Sequence, residues 1–271
     1  MSEGGANWGA STPLVSFGGF SVTYAGSARP ALAGVNLAIA AGRKLAVIGE
    51  SGSGKSTLAL ALAGLLPDEA RIEGRIDWPA TRQKPSRGRD VGFVFQDAGA
   101  SLNPVRRVGA QVAEVAQVHL GLSRQAARLH ALDLFRRVRL PEPEAVLRAF
   151  PHQLSGGQRQ RVAIAAAIAA RPQWLIADEP TSALDTIVQA QIVALLNGLV
   201  AEAGMTLVFI THDIALASGF ADRIAVLHDG RLVEEGTVAS LLGAPQDSYT
   251  RELIGGHIGL DTPPLVARAA P

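Results

Sequence analysis

The chain has 271 residues, 48% of them apolar, and carries 25 Lys and Arg against 24 Asp and Glu. That length and apolar share suit one large core bearing a subdomain, and a net charge of +1 gives no reason to expect nucleic acid or an anionic surface as a partner. With zero cysteines, the chain has no disulfides, thiolate metal sites or cysteine nucleophiles.

Residues 1–12 are small, polar and Gly-rich, and lack the basic start and apolar run of a signal peptide, so they read as a disordered lead-in. "GVNLAIA" alternates Val35, Leu37 and Ile39, the pattern of a half-buried strand. "KLAVIG" is a short apolar run that enters a glycine loop and then the helix-prone "STLALALAGLL", which predicts strand, loop, helix. "VGFVF" (91–95), "WLIAD" (174–178) and "TLVFIT" (206–211) are further buried-strand candidates. Such runs between helical stretches predict an α/β fold with a mostly parallel sheet covered on both faces.

Between Asn103 and Leu154 the apolar positions take a helical period, as in "AARLHALDLFRRVRL", and strand signals vanish. This predicts an inserted all-helical subdomain, about 97–170, within a domain over 13–243. The basic loop at 82–90 reads as solvated rather than as a phosphate or nucleic-acid site. "RIAVLHDGRLVEEG" sets Asp229-Gly230 between two alternating runs and predicts a hairpin, an antiparallel part of the fold. From Thr237 on, short helical pieces within and before a C-terminal tail at 244–271 lead to a loose Pro/Ala end. No apolar run reaches bilayer length; the best, "VAIAAAIAA", ends at Arg171 after nine residues. The expectation is a soluble intracellular protein whose membrane association comes through a partner.

"GESGSGKST" fits G-x-x-x-x-G-K-[ST] through Gly49, Gly54, Lys55 and Ser56. Its glycines let the backbone wrap the β-phosphate of a nucleotide, Lys55 reaches the β/γ oxygens, and the Ser56 hydroxyl ligates Mg²⁺. Glu50, Ser51, Gly52, Ser53 and Thr57 complete the loop and its exit. "QWLIADEP" ends a buried strand in Asp178, at the carboxyl edge where open α/β sheets bind ligands. Asp178 is expected to hold Mg²⁺, mainly through water, and Glu179 to polarise the attacking water as general base. Gln96 follows "VGFVF" at the junction with the helical stretch, where its amide can touch Mg²⁺ or that water. His212 follows "TLVFIT" and reads either as structural or as a contact to the γ-phosphate and water. Tyr24, in the N-terminal strand region, reads either as core or as a ring that stacks on adenine. In "FPHQLSGGQRQRV", Ser155, Gly156 and Gly157 sit where a loop becomes a helix, a geometry that aims N–H groups at an anion.

In the order phosphate loop, Gln96, "LSGGQ", "LIADEP", "SALD" and His212, these motifs resemble the ATP-binding cassette ATPase family along nearly the whole chain. The resemblance implies ATP and Mg²⁺ as cofactors and two subunits packed head to tail. Ser155, Gly156, Gly157 and Gln158 then face the nucleotide of the partner subunit, and Asp185 of "SALD" lies across the interface. Gln96 and the helical insertion form a groove for a permease's coupling helix. "FQDAGASLNP", "FPHQLSGGQRQR" and "PQDSYTREL" are similar to the peptide/nickel importer group, with departures at Ala98, Phe150 and Asp247-Ser248. The group's cysteine-bearing iron–sulfur extension is not possible here. The implied setting is the cytoplasmic face of the inner membrane, with permease subunits, a second cassette ATPase (heterodimer favoured, homodimer possible) and, indirectly, a solute-binding protein. The rival readings are a non-transport cassette ATPase in DNA maintenance, translation or iron–sulfur assembly, and an exporter ATPase.

Overall fold

A computed structural model describes residues 12–81, 83–182 and 184–257; the expectations for the lead-in before residue 12 and for the end of the tail lie outside the described residues. In chain order the strands are β1 (Pro13–Thr23), β2 (Leu32–Ala40), β3 (Lys44–Ile48), β4 (Arg71–Asp77), β5 (Val91–Val94), β6 (Trp174–Asp178), β7 (Thr206–Thr211), β8 (Arg223–His228) and β9 (Arg231–Thr237). The helices are α1 (Lys55–Ala63), α2 (Ala98–Ser101), α3 (Val108–Leu120), α4 (Arg124–Arg137), α5 (Pro143–Val146), α6 (Gly156–Ile168), α7 (Thr186–Ala203), α8 (Ile214–Ser218), α9 (Val238–Gly243) and α10 (Ser248–His257). The chain divides into two units, 1–84 with 206–271, and 85–205.

In the first unit β3 lies between β7 and β8, parallel to both, with Val47 opposite Ile210 on one side and Ala225 on the other. Leu45, Ala46, Val47 and Ile48 are fully buried, which is why this strand reads as an unbroken apolar run rather than an alternating one. β8 turns back into β9 antiparallel. The hairpin turn has φ of 46° at Asp229 and 76° at Gly230, the two positive values that a two-residue turn of this hand requires and that Asp-Gly tolerates. A second, antiparallel sheet has the order β2-β1-β4. Its β2 buries Val35, Leu37 and Ile39, the alternation read from the sequence.

In the second unit β5 and β6 pair in parallel, with Phe93 opposite Ile176. Between them every regular element is helical: α2 to α6 and a short 3₁₀ turn at Pro151–Gln153. Val112 and Ala116 of α3, Ala127, Ala131 and Leu134 of α4, and Val162, Ile164 and Ala165 of α6 are buried together. The alanines let these helices approach closely, and the His130 ring reaches the Ala169 carbonyl at 2.9 Å.

One expectation is corrected. α7 is long and apolar enough to cross a membrane by length and composition, with a mean hydropathy of 1.4 over 18 residues. A third of it is nonetheless buried within its unit. Ile192, Val193, Leu195, Leu196, Leu199 and Val200 are buried, while Gln191 and Glu202 take Arg161 and Arg137 at 3.0 and 3.1 Å.

Candidate functional site

The first unit builds the phosphate loop. β3 delivers Gly49 and α1 begins at Lys55, with Gly54 in the left-handed region at φ 101°. Side chains at the two glycines would collide: a Cβ on Gly49 would stand 2.1 Å from the Leu227 carbonyl, and one on Gly54 2.5 Å from the Ala31 carbonyl. The loop is thereby wrapped against the β8–β9 hairpin, whose Gly230 N–H donates to the Ser53 carbonyl at 3.1 Å. Lys55 is 5% exposed, and its ammonium folds back onto the carbonyls of Gly49 and Glu50 at 2.8 and 2.7 Å. A buried ammonium at a helix N-terminus that no side chain caps is a strong local attraction for phosphate oxygens.

Ser51, Gly52 and Ser56 are exposed, so the loop crest and the hydroxyl expected on Mg²⁺ are open. Ser53 is buried, and its Oγ has no hydrogen-bond partner. Thr57 is buried behind the loop, and its Oγ1 lies 3.2 Å from the Tyr24 hydroxyl. Tyr24 is therefore half-buried beside the exit of the phosphate loop rather than inside the core. His212 is exposed between β7 and α8, whose first turn is capped by Asp213 through the Leu216 N–H at 2.9 Å. The glycine cradle, the buried ammonium and the oxygen-only donors fit a nucleotide carrying Mg²⁺.

The second unit holds the other candidate residues. β6 ends in Asp178, 7% exposed, followed by Glu179 at φ 42°. Left-handed backbone at a non-glycine residue costs on the order of 1 kcal/mol or more, and such strain gathers at functional positions. The Glu179 carbonyl closes a turn with the Ser182 N–H at 3.2 Å, and its carboxylate accepts from the Gln96 amide at 3.2 Å. Gln96 and Glu179, 83 residues apart in sequence, are thus brought together as the strand ends of β5 and β6 require.

The signature segment also starts a helix. Ser155 caps α6 by accepting from the Gln158 N–H at 3.3 Å, and the Gln158 side chain returns to the Ser155 N–H at 2.9 Å. Gly156 is exposed and Gly157 half-buried; a Cβ on Gly157 would reach 3.0 Å from Val188 of α7. Asp185 is exposed but already caps α7, accepting from the Val188 N–H at 3.0 Å. Among the described residues no group of three His, Asp or Glu could hold a metal by itself.

Two features escaped the sequence. Arg106, Arg107, Arg124, Arg128 and Arg148 line a groove of about 870 Å³ together with Glu114, which holds Arg106 at 2.6 Å. These arginines are scattered between positions 106 and 148, so no local charge run announces them. Tyr249 of α10 reaches the phosphate loop at Glu50, 199 residues away. The sequence offers its motif, "PQDSYTREL", but nothing that ties the tyrosine to the loop.

A family model described as "ABC transporter" matches residues 32–182, which take in the phosphate loop, the signature segment and the end of β6. The chain belongs to the ABC transporter family. Among curated relatives the cassette is 42% identical over 250 residues to the oligopeptide transport ATP-binding protein OppD of Bacillus subtilis, a match covering 89% of this chain and 70% of that one. It is also 42% identical to the peptidoglycan transport ATP-binding protein YejF of Agrobacterium fabrum, over 90% of this chain and 47% of the relative. A third relative, the glutathione import ATP-binding protein GsiA of Escherichia coli, is 42% identical over 89% of this chain and 42% of its own. The cassette thus spans about half the length of two of these relatives. A solved structure, the dimeric post-hydrolysis state of the ATP-binding cassette MJ0796 bound to ADP and Pi, has a TM-score of 0.73 and 34% identity, covering 83% of this chain and 98% of that one. The likeness establishes the P-loop α/β fold of the cassette.

Proposed function

We propose that the cassette is the ATP-hydrolysing, nucleotide-binding subunit that powers a separate membrane permease in an importer for peptides, metal chelates such as nickel's, or similar small solutes. The observation that carries the reading is the phosphate loop, whose buried Lys55 stands ready at an uncapped helix N-terminus. Relatives named for oligopeptide, peptidoglycan and glutathione transport supply the solute class.

In this reading Gly49, Glu50, Ser51, Gly52, Ser53, Gly54, Lys55, Ser56 and Thr57 hold the phosphates, and Tyr24 stacks on adenine. Ser56 gives its hydroxyl to Mg²⁺, with Asp178 acting through water and Gln96 as a further oxygen donor. When bound, Mg²⁺ neutralises charge between the β- and γ-phosphates. Glu179 orients and deprotonates water, and His212 contacts the γ-phosphate. Gln96 already touches the Glu179 carboxylate, so movement of the helical stretch would be felt at the general base. Ser155, Gly156, Gly157 and Gln158 serve the nucleotide of a second cassette, with Asp185 at the interface. The favoured pairing is a heterodimer with a related cassette ATPase.

We assign the permease contact to the helical part, about 97–170 within an ATPase domain at 13–243, with the arginine groove as its charged concavity. The complex then sits at the cytoplasmic face of the cell membrane, peripheral through the permease. The test is phosphate release by the purified complex with Mg²⁺ and ATP. Turnover that stops when Mg²⁺ is chelated is expected; no turnover in an intact complex contradicts the reading.

A further inference from the structure

The first turn of α10 is fixed to the hairpin beside the phosphate loop. The Glu234 carboxylate of β9 accepts from the N–H groups of Gln246 and Asp247 at 2.9 and 3.1 Å. Asp247 in turn accepts from the Tyr249 N–H at 2.8 Å. So placed, the Tyr249 ring lies on His228 with centroids 3.9 Å apart, and its phenol oxygen accepts from the Glu50 N–H at 3.0 Å. That N–H belongs to the Gly49–Glu50 peptide, and the carbonyl of the same peptide accepts from Lys55 Nζ at 2.8 Å. One peptide plane at the base of the loop is therefore held on both edges, by the C-terminal helix and by the lysine that must reach phosphate.

We propose that Tyr249 is a positioning residue for nucleotide binding: it holds the Gly49–Glu50 peptide so that Lys55 is preset before the phosphates arrive. The inference rests on the nucleotide-binding reading above. Three considerations support it. Gly49, at φ 153°, has no side chain to restrain rotation of this peptide, so its orientation depends on the tethers at its edges. An amide whose N–H is hydrogen-bonded is a better acceptor at its carbonyl, which steadies the lysine. Burial pushes the Tyr249 phenol above its ordinary value, so it stays neutral through the working pH range. The consequence is that the pose of α10 is read out as affinity for the β-phosphate, which ADP and ATP share.

The test titrates ATP and ADP into the full chain and its Tyr249→Phe variant, with melting temperature and saturated hydrolysis in the transport complex measured alongside. Phe keeps the ring on His228 and removes only the acceptor oxygen. The proposal predicts that Kd rises about 3- to 10-fold for both nucleotides, the size of one uncharged hydrogen bond, with kcat within about twofold and melting temperature unchanged. Wild-type Kd for both nucleotides overturns it. So does a loss of kcat at unchanged Kd, or an affinity loss that only follows a lowered melting temperature. If the wild-type chain binds neither nucleotide, the nucleotide-binding reading itself falls, an outcome distinct from an indifferent Phe variant.

Discussion

Two helices of the cassette begin in the same way, with glycines at the end of a loop, and they differ in what is done with the first-turn N–H groups. At α1 the cap is Gly54, which has no side chain to offer, and the buried Lys55 adds a positive charge behind the loop. At α6 Ser155 and Gln158 satisfy each other's backbone donors. The first end is left hungry for an anion and the second is stable by itself, with Gly156 bare on the surface. A glycine-rich helix start is therefore not one kind of site. The cap and the lysine set how strongly each helix start attracts an anion.

Removing the lysine would break that comparison most severely. Lys55→Ala is expected to weaken ATP binding about a hundredfold or more, because a charge-assisted contact is lost from a buried place; an equilibrium titration reads it. Glu179→Gln is expected to keep ATP affinity while slowing hydrolysis about a hundredfold or more, the lower range for a general base, as measured by single-turnover phosphate release. Charge reversal at Arg124 and Arg128 is expected to leave ATP affinity within about twofold, since both lie in the other unit's groove, and to reduce recovery of permease with the cassette; the interaction is an exposed one, so raising salt should mimic the effect. The smallest effect is expected at the self-capped end. Ser155→Ala should cost about 1 kcal/mol of stability, read by denaturant unfolding, and leave the ATP affinity of the isolated chain unchanged.

The chemistry-bearing motifs were legible because each is local. A phosphate loop needs its glycines and lysine within nine residues, and a buried strand announces itself by an unbroken apolar run, as in "KLAVI" and "WLIAD". The Asp229-Gly230 turn was readable for the same reason. β4 was not, because "RIEGRID" is exposed along most of its length and carries no apolar alternation. α7 was missed as a span-length helix because its apolar residues are interspersed with Gln189, Gln191 and Asn197, so no contiguous run stands out. The Tyr24 contact to Thr57 and the Tyr249 contact to Glu50 join positions 33 and 199 residues apart, and no periodicity encodes such pairs. The arginine groove escaped for the same reason, since its residues meet only once α3 and α4 have packed.

The most direct test of the account is to trap the tagged Glu179→Gln cassette with ATP and Mg²⁺ in its native membrane and identify by mass spectrometry what co-purifies in stoichiometric amounts. The account predicts a pair of integral membrane permease subunits together with a second cassette ATPase. Recovery of ribosomal, DNA-repair or cluster-assembly proteins in place of a permease would contradict it.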